Sequence, residues 1–367
     1  MIVSSQKDKN KKSGIQDSDD LDLQNSSKTG AKKTKKQFNS NFLNSETQEV
    51  EITNLSLRPS KLSEYIGQDK LKKQLNIILE SSKIRQKLPE HILFYGQPGL
   101  GKTTLANLIS QEVDAKFKVT SAPALQKIGD LVTLLLNLED KTVLFIDEIH
   151  RLKAPLEEAL YTAMEDGKID LVMGKGAGSS NARLDLKEFT LIGATTQLGK
   201  ISKPLKDRFG SVFQLEAYNQ TEILEIVERN SQLLNLKLDK EAEIFLCQRC
   251  RGVPRIANNL LKRLRDYALV HKLKIITKTQ TEDFLDELGI LEKGLTRQDI
   301  LYLESLLDNG LGIKTLSGIL LEEVETLELV VEPYLLHLGF IDKSSSGRNL
   351  TTKGKNFLQK LGLVKKD

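Results

Sequence analysis

The stretch Glu90-His-Ile-Leu-Phe-Tyr-Gly-Gln-Pro-Gly-Leu-Gly-Lys-Thr-Thr-Leu-Ala-Asn107 decides the fold of this chain. Its first part is a short apolar run with β-branched and aromatic residues, its centre is glycine-rich, and its end is amphipathic with helical spacing. Strand, loop and helix in that order are the context in which Gly96-x-x-x-x-Gly101-Lys102-Thr103 reads as a phosphate loop. The glycines let consecutive backbone N–H groups turn onto phosphate oxygens, and the helix N-terminus adds its dipole. Lys102 then spans the β- and γ-phosphates of a nucleoside triphosphate, and the Thr103 hydroxyl ligates Mg²⁺.

Downstream, the run Val143-Leu-Phe-Ile-Asp147-Glu148 ends a buried strand in two carboxylates, which are costly there without a cation or a task. Following a phosphate loop, Asp147 is expected to hold Mg²⁺ and Glu148 to activate the attacking water. The next apolar strand closes on Thr196, placed to position water or touch the γ-phosphate, with simple capping as the alternative. In Lys203-Pro-Leu-Lys-Asp-Arg208-Phe-Gly210, Arg208 follows a short helix from which its own phosphate loop is hard to reach. It is either a finger offered to the next subunit's nucleotide or a plain surface arginine. Arg255, in Gly252-Val-Pro-Arg255, opens a helix at the end that disfavours a cation. A nearby phosphate or an interdomain ion pair would account for it.

Working outward, 90–96, 117–122, 142–148 and 189–196 are strand-like runs separated by helical segments, so the architecture is α/β with a parallel sheet covered on both faces. Residues 165–190 hold two strand-like pieces around a Gly/Ser-rich turn, a hairpin. After Tyr218 only amphipathic helices follow to about 291. From 292 three helices lead to a β-turn-β element, the outline of a winged helix, a fold that often binds duplex nucleic acid. The expected division is a disordered polar tail (1–50), a large ATPase domain (51–217), a small helical lid (218–291) and a winged helix (292–367). The tail carries Lys32-Lys-Thr-Lys-Lys36 and Asp17-Ser-Asp-Asp-Leu-Asp22 and has too little apolar surface to offset its ordering entropy.

Composition excludes other classes. At 367 residues, 39% hydrophobic and 28% charged, the chain suits a multidomain cytoplasmic protein. It has no run apolar and long enough for a bilayer span and no secretion signal. Cys247 and Cys250 lie on a helical pattern without further ligands and read as core thiols rather than a zinc shell. A net charge of +4 proves nothing about nucleic acid, but residues 343–366 hold seven basic and no acidic side chains. Within them, Lys343 and Arg348 are expected to touch the DNA backbone from the wing.

Taken together, these motifs closely resemble the RuvB family of AAA+ branch-migration motors, from about Leu57 to Gly362. The most specific pieces are LRPSKLSEYIGQ (57–68), YGQPGLGKTTLAN (95–107), VLFIDEIHRL (143–152), YTAMEDGKIDLVMGKG (161–176), TLIGATT with PLKDRFG (190–210), GVPRIANNLLKR (252–263) and VEPYLLHLGF (331–340). The resemblance implies that Leu57, Arg58, Tyr65 and Ile66 border the adenine, with Tyr218 and Arg255 closing from the lid. Gly99, Gly101, Lys102, Thr103 and Thr104 would cradle the phosphates of ATP. Thr196 would be sensor one, Arg255 sensor two, Arg208 the trans finger, and Glu165, Asp166 and Gly167 would lie near the neighbour's nucleotide.

It further implies a homohexameric ring around duplex DNA acting on Holliday junctions in recombination and repair. RuvA would dock on the 169–186 hairpin, and RuvC would join a larger complex. Two departures stand out: Gln97 replaces the usual Pro, and Lys343-Ser-Ser-Ser346-Gly-Arg348 lacks the middle arginine of an R-x-x-R-x-R wing. A clamp-loader-like ATPase would lack the winged helix. A nucleotide-gated DNA-binding regulator would have little use for Glu148 and Arg208.

Overall fold

A computed structural model describes residues 57–173, 180–345 and 347–364. Residues 1–56, which include the expected tail, residues 174–179, where the hairpin turn is expected, Ser346 and residues 365–367 lie outside the described residues. The first helix α1 (Asp69–Arg85) leads to β1 (Ile92–Tyr95), the phosphate loop and α2 (Lys102–Glu112). Then come β2 (Lys116–Ser121), α3 (Ile128–Leu136), β3 (Thr142–Asp147), α4 (Ala154–Asp166), the hairpin β4 (Lys168–Met173) and β5 (Ser180–Asp185), β6 (Phe189–Thr195), α5 (Lys203–Asp207) and β7 (Ser211–Gln214).

The central sheet is parallel in the order β2-β3-β6-β1-β7, so β6 runs between β3 and β1. This order brings Gly96, Asp147 and Thr196 side by side at the carboxyl ends of adjacent strands, where open α/β sheets bind ligands. The innermost strand, β6, is buried along its whole length. Gly193 in it has no room for more: a Cβ there would meet Ile149, Phe209 and Leu93 at 3.0–3.1 Å. The short strand β7 was not legible as a strand, because Ser-Val-Phe-Gln has no clear alternation. The hairpin is antiparallel with Lys168 opposite Asp185, and its base is fixed by buried Ile169.

Four helices follow: α6 (Gln220–Leu233), α7 (Lys240–Cys247), α8 (Pro254–Val270) and α9 (Lys278–Glu287). Their apolar faces share one cluster with α1, α2 and one face of the sheet, whereas the opposite face of the sheet has its own cluster. Cys247 and Cys250 belong to the shared core, where burial pushes the Cys247 thiol up to about 11 and raises Cys250 further.

The C-terminal unit has a separate core around fully buried Tyr302. It comprises α10 (Arg297–Glu304), α11 (Ile313–Leu320), α12 (Val324–Thr326), a π turn at Leu327–Val331, α13 (Glu332–His337), β8 (Ile341–Ser344), β9 (Gly347–Leu350) and α14 (Thr352–Lys360). The π turn sits just before Pro333, which has no N–H to return to the carbonyl four residues back. The helix α14 was read only as a basic stretch. No described helix is long and apolar enough to cross a membrane.

Candidate functional site

A cavity of about 450 Å³ opens at the carboxyl edge of the sheet, lined by Arg58, Gly99, Gly101, Lys102, Thr103, Thr104, Asp147, Glu148, Thr196 and Arg255. A smaller, more apolar recess adjoins it, lined by Leu57, Arg58, Tyr65, Ile66 and Tyr218 and sharing Gly101 and Thr104 with the first. The sequence-predicted phosphate, metal, sensor and base-bordering residues thus meet around one cleft.

The phosphate loop is shaped for close approach. Gly96, Gly99 and Gly101 all have positive φ. A Cβ on Gly101 would run into the Tyr65 hydroxyl, and one on Gly99 would meet Val253 and Arg255 at 2.8–2.9 Å. Lys102 is buried and donates to the carbonyls of Gly96 and Gln97, both at 2.8 Å. Burial lowers its pKa to about 8 against a small opposing pull from Asp147. A buried ammonium with no carboxylate in hydrogen-bond reach among the described residues fits an anionic phosphate, and Thr103 and Asp147, which line the same cleft, offer the hard oxygens that Mg²⁺ takes.

At the end of β3, Glu148 stands at φ 50°, a left-handed conformation that costs an L residue roughly 1–2 kcal/mol. It is held there because its N–H donates to Asp147 Oδ1 at 2.9 Å and its carbonyl accepts from Arg151 N at 2.8 Å. The half-exposed Glu148 carboxylate also pairs with Arg151 at 2.9 Å. Thr196 is exposed to the cleft, whereas its neighbour Thr195 is buried and bonds His150 Nδ1 at 2.9 Å.

From the lid, Arg255 docks its backbone N–H on the Gly99 carbonyl at 3.3 Å. The Tyr218 hydroxyl donates to the Tyr65 hydroxyl at 2.8 Å, which donates to the Leu100 carbonyl at 3.1 Å. Desolvation raises both phenols, Tyr218 to about 12, so they stay neutral and serve as donors.

Arg208, Glu165, Asp166 and Gly167 do not line this cleft. Arg208 is clamped by Glu165 at 2.9 Å and lies over the Tyr161 ring, while Asp166 pairs with Arg183 at 2.9 Å. Gly167 caps α4 with φ 64°.

The wing corrects one expectation. Arg348 is not on a phosphate-facing surface: it is 7% exposed and its guanidinium is bound by Glu332 at 2.7 Å and Glu328 at 2.8 Å. Two glutamates of the preceding helical stretch, one turn apart, draw it inward. Lys343 is half-exposed and also leans on them, at 3.3 Å from Glu328 and 3.5 Å from Glu332.

Sequence reasoning missed other cleft residues. Asn258 and Asn259 line the cavity and stand three and four positions after Arg255, so the helical period could have found them. Asn258 accepts from buried Asn230 at 2.6 Å. Arg229, which donates to the Leu57 carbonyl at 3.1 Å, gave no local signal.

Three family models match the chain: the Holliday junction DNA helicase RuvB P-loop domain over 57–215, the RuvB AAA lid domain over 218–290 and the RuvB C-terminal winged helix domain over 292–359. The "Holliday junction branch migration complex subunit RuvB" of Fusobacterium nucleatum is 45% identical over 85% of this chain and 95% of its own length. That of Campylobacter hominis is 45% identical over 83% of this chain and 90% of its own. Among solved structures, the Thermotoga maritima RuvB Holliday junction branch migration motor superposes with a TM-score of 0.75 at 39% identity, over 83% of this chain and 98% of that one.

Proposed function

Because this chain belongs to the RuvB family, we propose that it is the ATP-hydrolysing motor that drives branch migration of Holliday junctions in recombination and repair. The observation that carries this reading is one cleft where Lys102, Asp147, Glu148, Thr196 and Arg255 converge, while Arg208 stands outside it on the same domain. In this reading the loop N–H groups and Lys102 hold the phosphates of ATP, and Leu57, Arg58, Tyr65, Ile66 and Tyr218 border the base. Thr103 and Asp147 would hold Mg²⁺, which when bound would supply charge neutralisation at the transferred phosphoryl group. Glu148 accepts the proton of the attacking water.

Arg208, with Glu165, Asp166 and Gly167, serves the nucleotide of the next subunit in a homohexameric cytoplasmic ring around the duplex. Contacts to phosphate rather than bases suit a motor that moves along any sequence. The 169–186 hairpin docks RuvA, and RuvC completes a larger assembly. The winged-helix match counts against a clamp loader. Junction dissociation driven by ATP, with and without RuvA, is the test. Nucleotide-dependent DNA binding with little turnover and no dissociation in either case would favour a nucleotide-gated regulator.

A further inference from the structure

We propose that His91 is a positioning residue that ties the elements a subunit presents to its neighbour to the strand that carries its own phosphate loop. The inference rests on the trans reading of Arg208 and Glu165. It stands on a junction of four segments at one residue, two of them held by its side chain and one by its main-chain carbonyl. His91 Nδ1 accepts from the backbone N–H of Leu191 in β6 at 2.9 Å, which leaves the proton on Nε2. Nε2 lies 3.1 Å from the carbonyl of Met164, the residue before Glu165, and donates to it. The carbonyl of His91 accepts from Gly210 N at 3.0 Å and Ser211 N at 3.4 Å, just after Arg208.

Both presented elements therefore meet at one residue, the end of α4 through the His91 ring and the Arg208 loop through the His91 carbonyl, so the ring sets how the two are placed relative to each other. From it β1 runs directly into Gly96. Neighbouring contacts stiffen the joint. The Thr190 hydroxyl donates to the Pro89 carbonyl, the His91 ring packs against Phe189 with centroids 5.5 Å apart, and a Cβ on Gly210 would collide with Glu90.

The need for such fixing shows at Arg208 itself. Its Nη2 reaches Glu165 at 2.9 Å and its Nη1 the Pro204 carbonyl at 3.4 Å, while the buried Nε has no partner among the described residues. A guanidinium held by one carboxylate, one long carbonyl bond and the face of Tyr161 depends on the placement of its loop and of the end of α4, which carries both Tyr161 and Glu165. A displacement of about 1 Å in a reacting group can cost on the order of 10²-fold in rate.

Two substitutions separate this role from plain sheet architecture. His91→Asn keeps an acceptor near Nδ1 for Leu191 but cannot reach Met164. His91→Gln keeps a donor for Met164 and loses the acceptor. We expect His91→Asn to bind nucleotide like wild type and to lose about tenfold or more in ATP turnover, with His91→Gln the less affected.

Subunit mixing supplies the readout that general destabilisation would not give. His91→Asn mixed with Glu148→Gln should regain turnover, because the latter contributes an intact presented edge. Mixed with Arg208→Ala it should not, since both are defective on that edge. Gly210→Ala, which pushes the same loop from the Glu90 side, should follow the same mixing pattern and serves if His91→Asn does not fold.

Recovery with both partners or with neither, or a greater loss in His91→Gln than in His91→Asn, overturns the assignment. Mixing Arg208→Ala with Glu148→Gln separates the two levels. No recovery there sinks the trans reading itself, whereas recovery there beside a failed His91 pattern sinks only the inference.

Discussion

Lys102 and Arg348 are both cations buried to within 8% exposure, and they are buried for opposite reasons. Around Lys102 the described residues supply two carbonyls that accept its hydrogen bonds and no bonded carboxylate, and desolvation, against the opposing pull of Asp147, lowers its pKa to about 8. Around Arg348 it supplies the Glu332 and Glu328 carboxylates, and hydrogen bonding to Glu332 raises the pKa above the ordinary arginine value. The first cation is left short of counter-charge, which a phosphate can provide. The second is already neutralised and has nothing to offer one. Burial of a charge alone does not mark a ligand site; its partners decide.

The comparison breaks most easily at the cleft. Lys102→Ala is expected to lower nucleotide affinity roughly 10- to 100-fold, the worth of a hydrogen bond to a charged group. Glu148→Gln should leave affinity intact and cut turnover by about 10²–10⁴. Titration with a fluorescent nucleotide and a steady-state phosphate assay read the two effects. Equal affinity of wild type and Lys102→Ala would remove the contrast with Arg348 altogether.

At the wing the same truncation should act on stability. Arg348→Ala leaves the Glu332 carboxylate, which is 2% exposed, with only Tyr302 and the more distant Lys343, and is expected to destabilise the C-terminal unit by about 3 kcal/mol. Pairing it with Glu332→Gln should return part of that loss, since the amide oxygen can still accept from Tyr302, now 2.8 Å from Glu332. Denaturant melts of the single and double variants measure it. A melt like wild type with weakened DNA binding would show that Arg348 faces phosphate after all.

A finer test uses the sign of the Lys102 shift. A lysine depressed to about 8 from 10.5 burdens the folded state while charged. Without nucleotide, Lys102→Met should therefore melt higher than wild type near neutral pH, by roughly 2–4 °C. Between about 8 and 10.5 the folded wild type sheds this proton before the unfolded chain does, so its stability rises relative to Lys102→Met and the gap narrows. A gap that is constant across this range would mean that Lys102 carries no desolvation burden.

How legible each region was follows from how local its chemistry is. The phosphate loop, Asp147 and Glu148 were readable because backbone geometry and sheet topology place them: the glycines sit next to the lysine they serve, and parallel strands deliver their carboxyl ends to one edge. Asn230, Arg229 and His150 act through partners tens of residues away or through a bond to Thr195, and no period announces them. The wing misled for a related reason. An acid-free stretch from Lys343 onward looked like a basic surface, but the acids that neutralise Arg348 come from Glu328 and Glu332, 20 and 16 positions upstream. Charge runs along a sequence say little about charge balance across a fold.

Lys343 is the intermediate case and gives the smallest effect. Its ammonium is half-exposed yet lies 3.3 Å from Glu328 and 3.5 Å from Glu332, so its charge is shared between an internal pair and solvent. The more exposed of its two contacts, to Glu328, contributes about 0–1 kcal/mol, and because Arg348 remains on Glu332, Lys343→Gln should melt within roughly that margin of wild type. A phosphate contact made freely would alter the slope of log affinity against log salt by about 0.9. Because Glu328 and Glu332 already occupy the ammonium in part, the change on Lys343→Gln is expected to be smaller than that. Glu328→Gln, which removes one of the two carboxylates holding Lys343 while Glu332 keeps Arg348, should instead steepen the slope and tighten duplex binding. Duplex titrations at several salt concentrations decide it: a full-sized change for Lys343→Gln with none for Glu328→Gln would mean that the glutamates do not restrain this lysine.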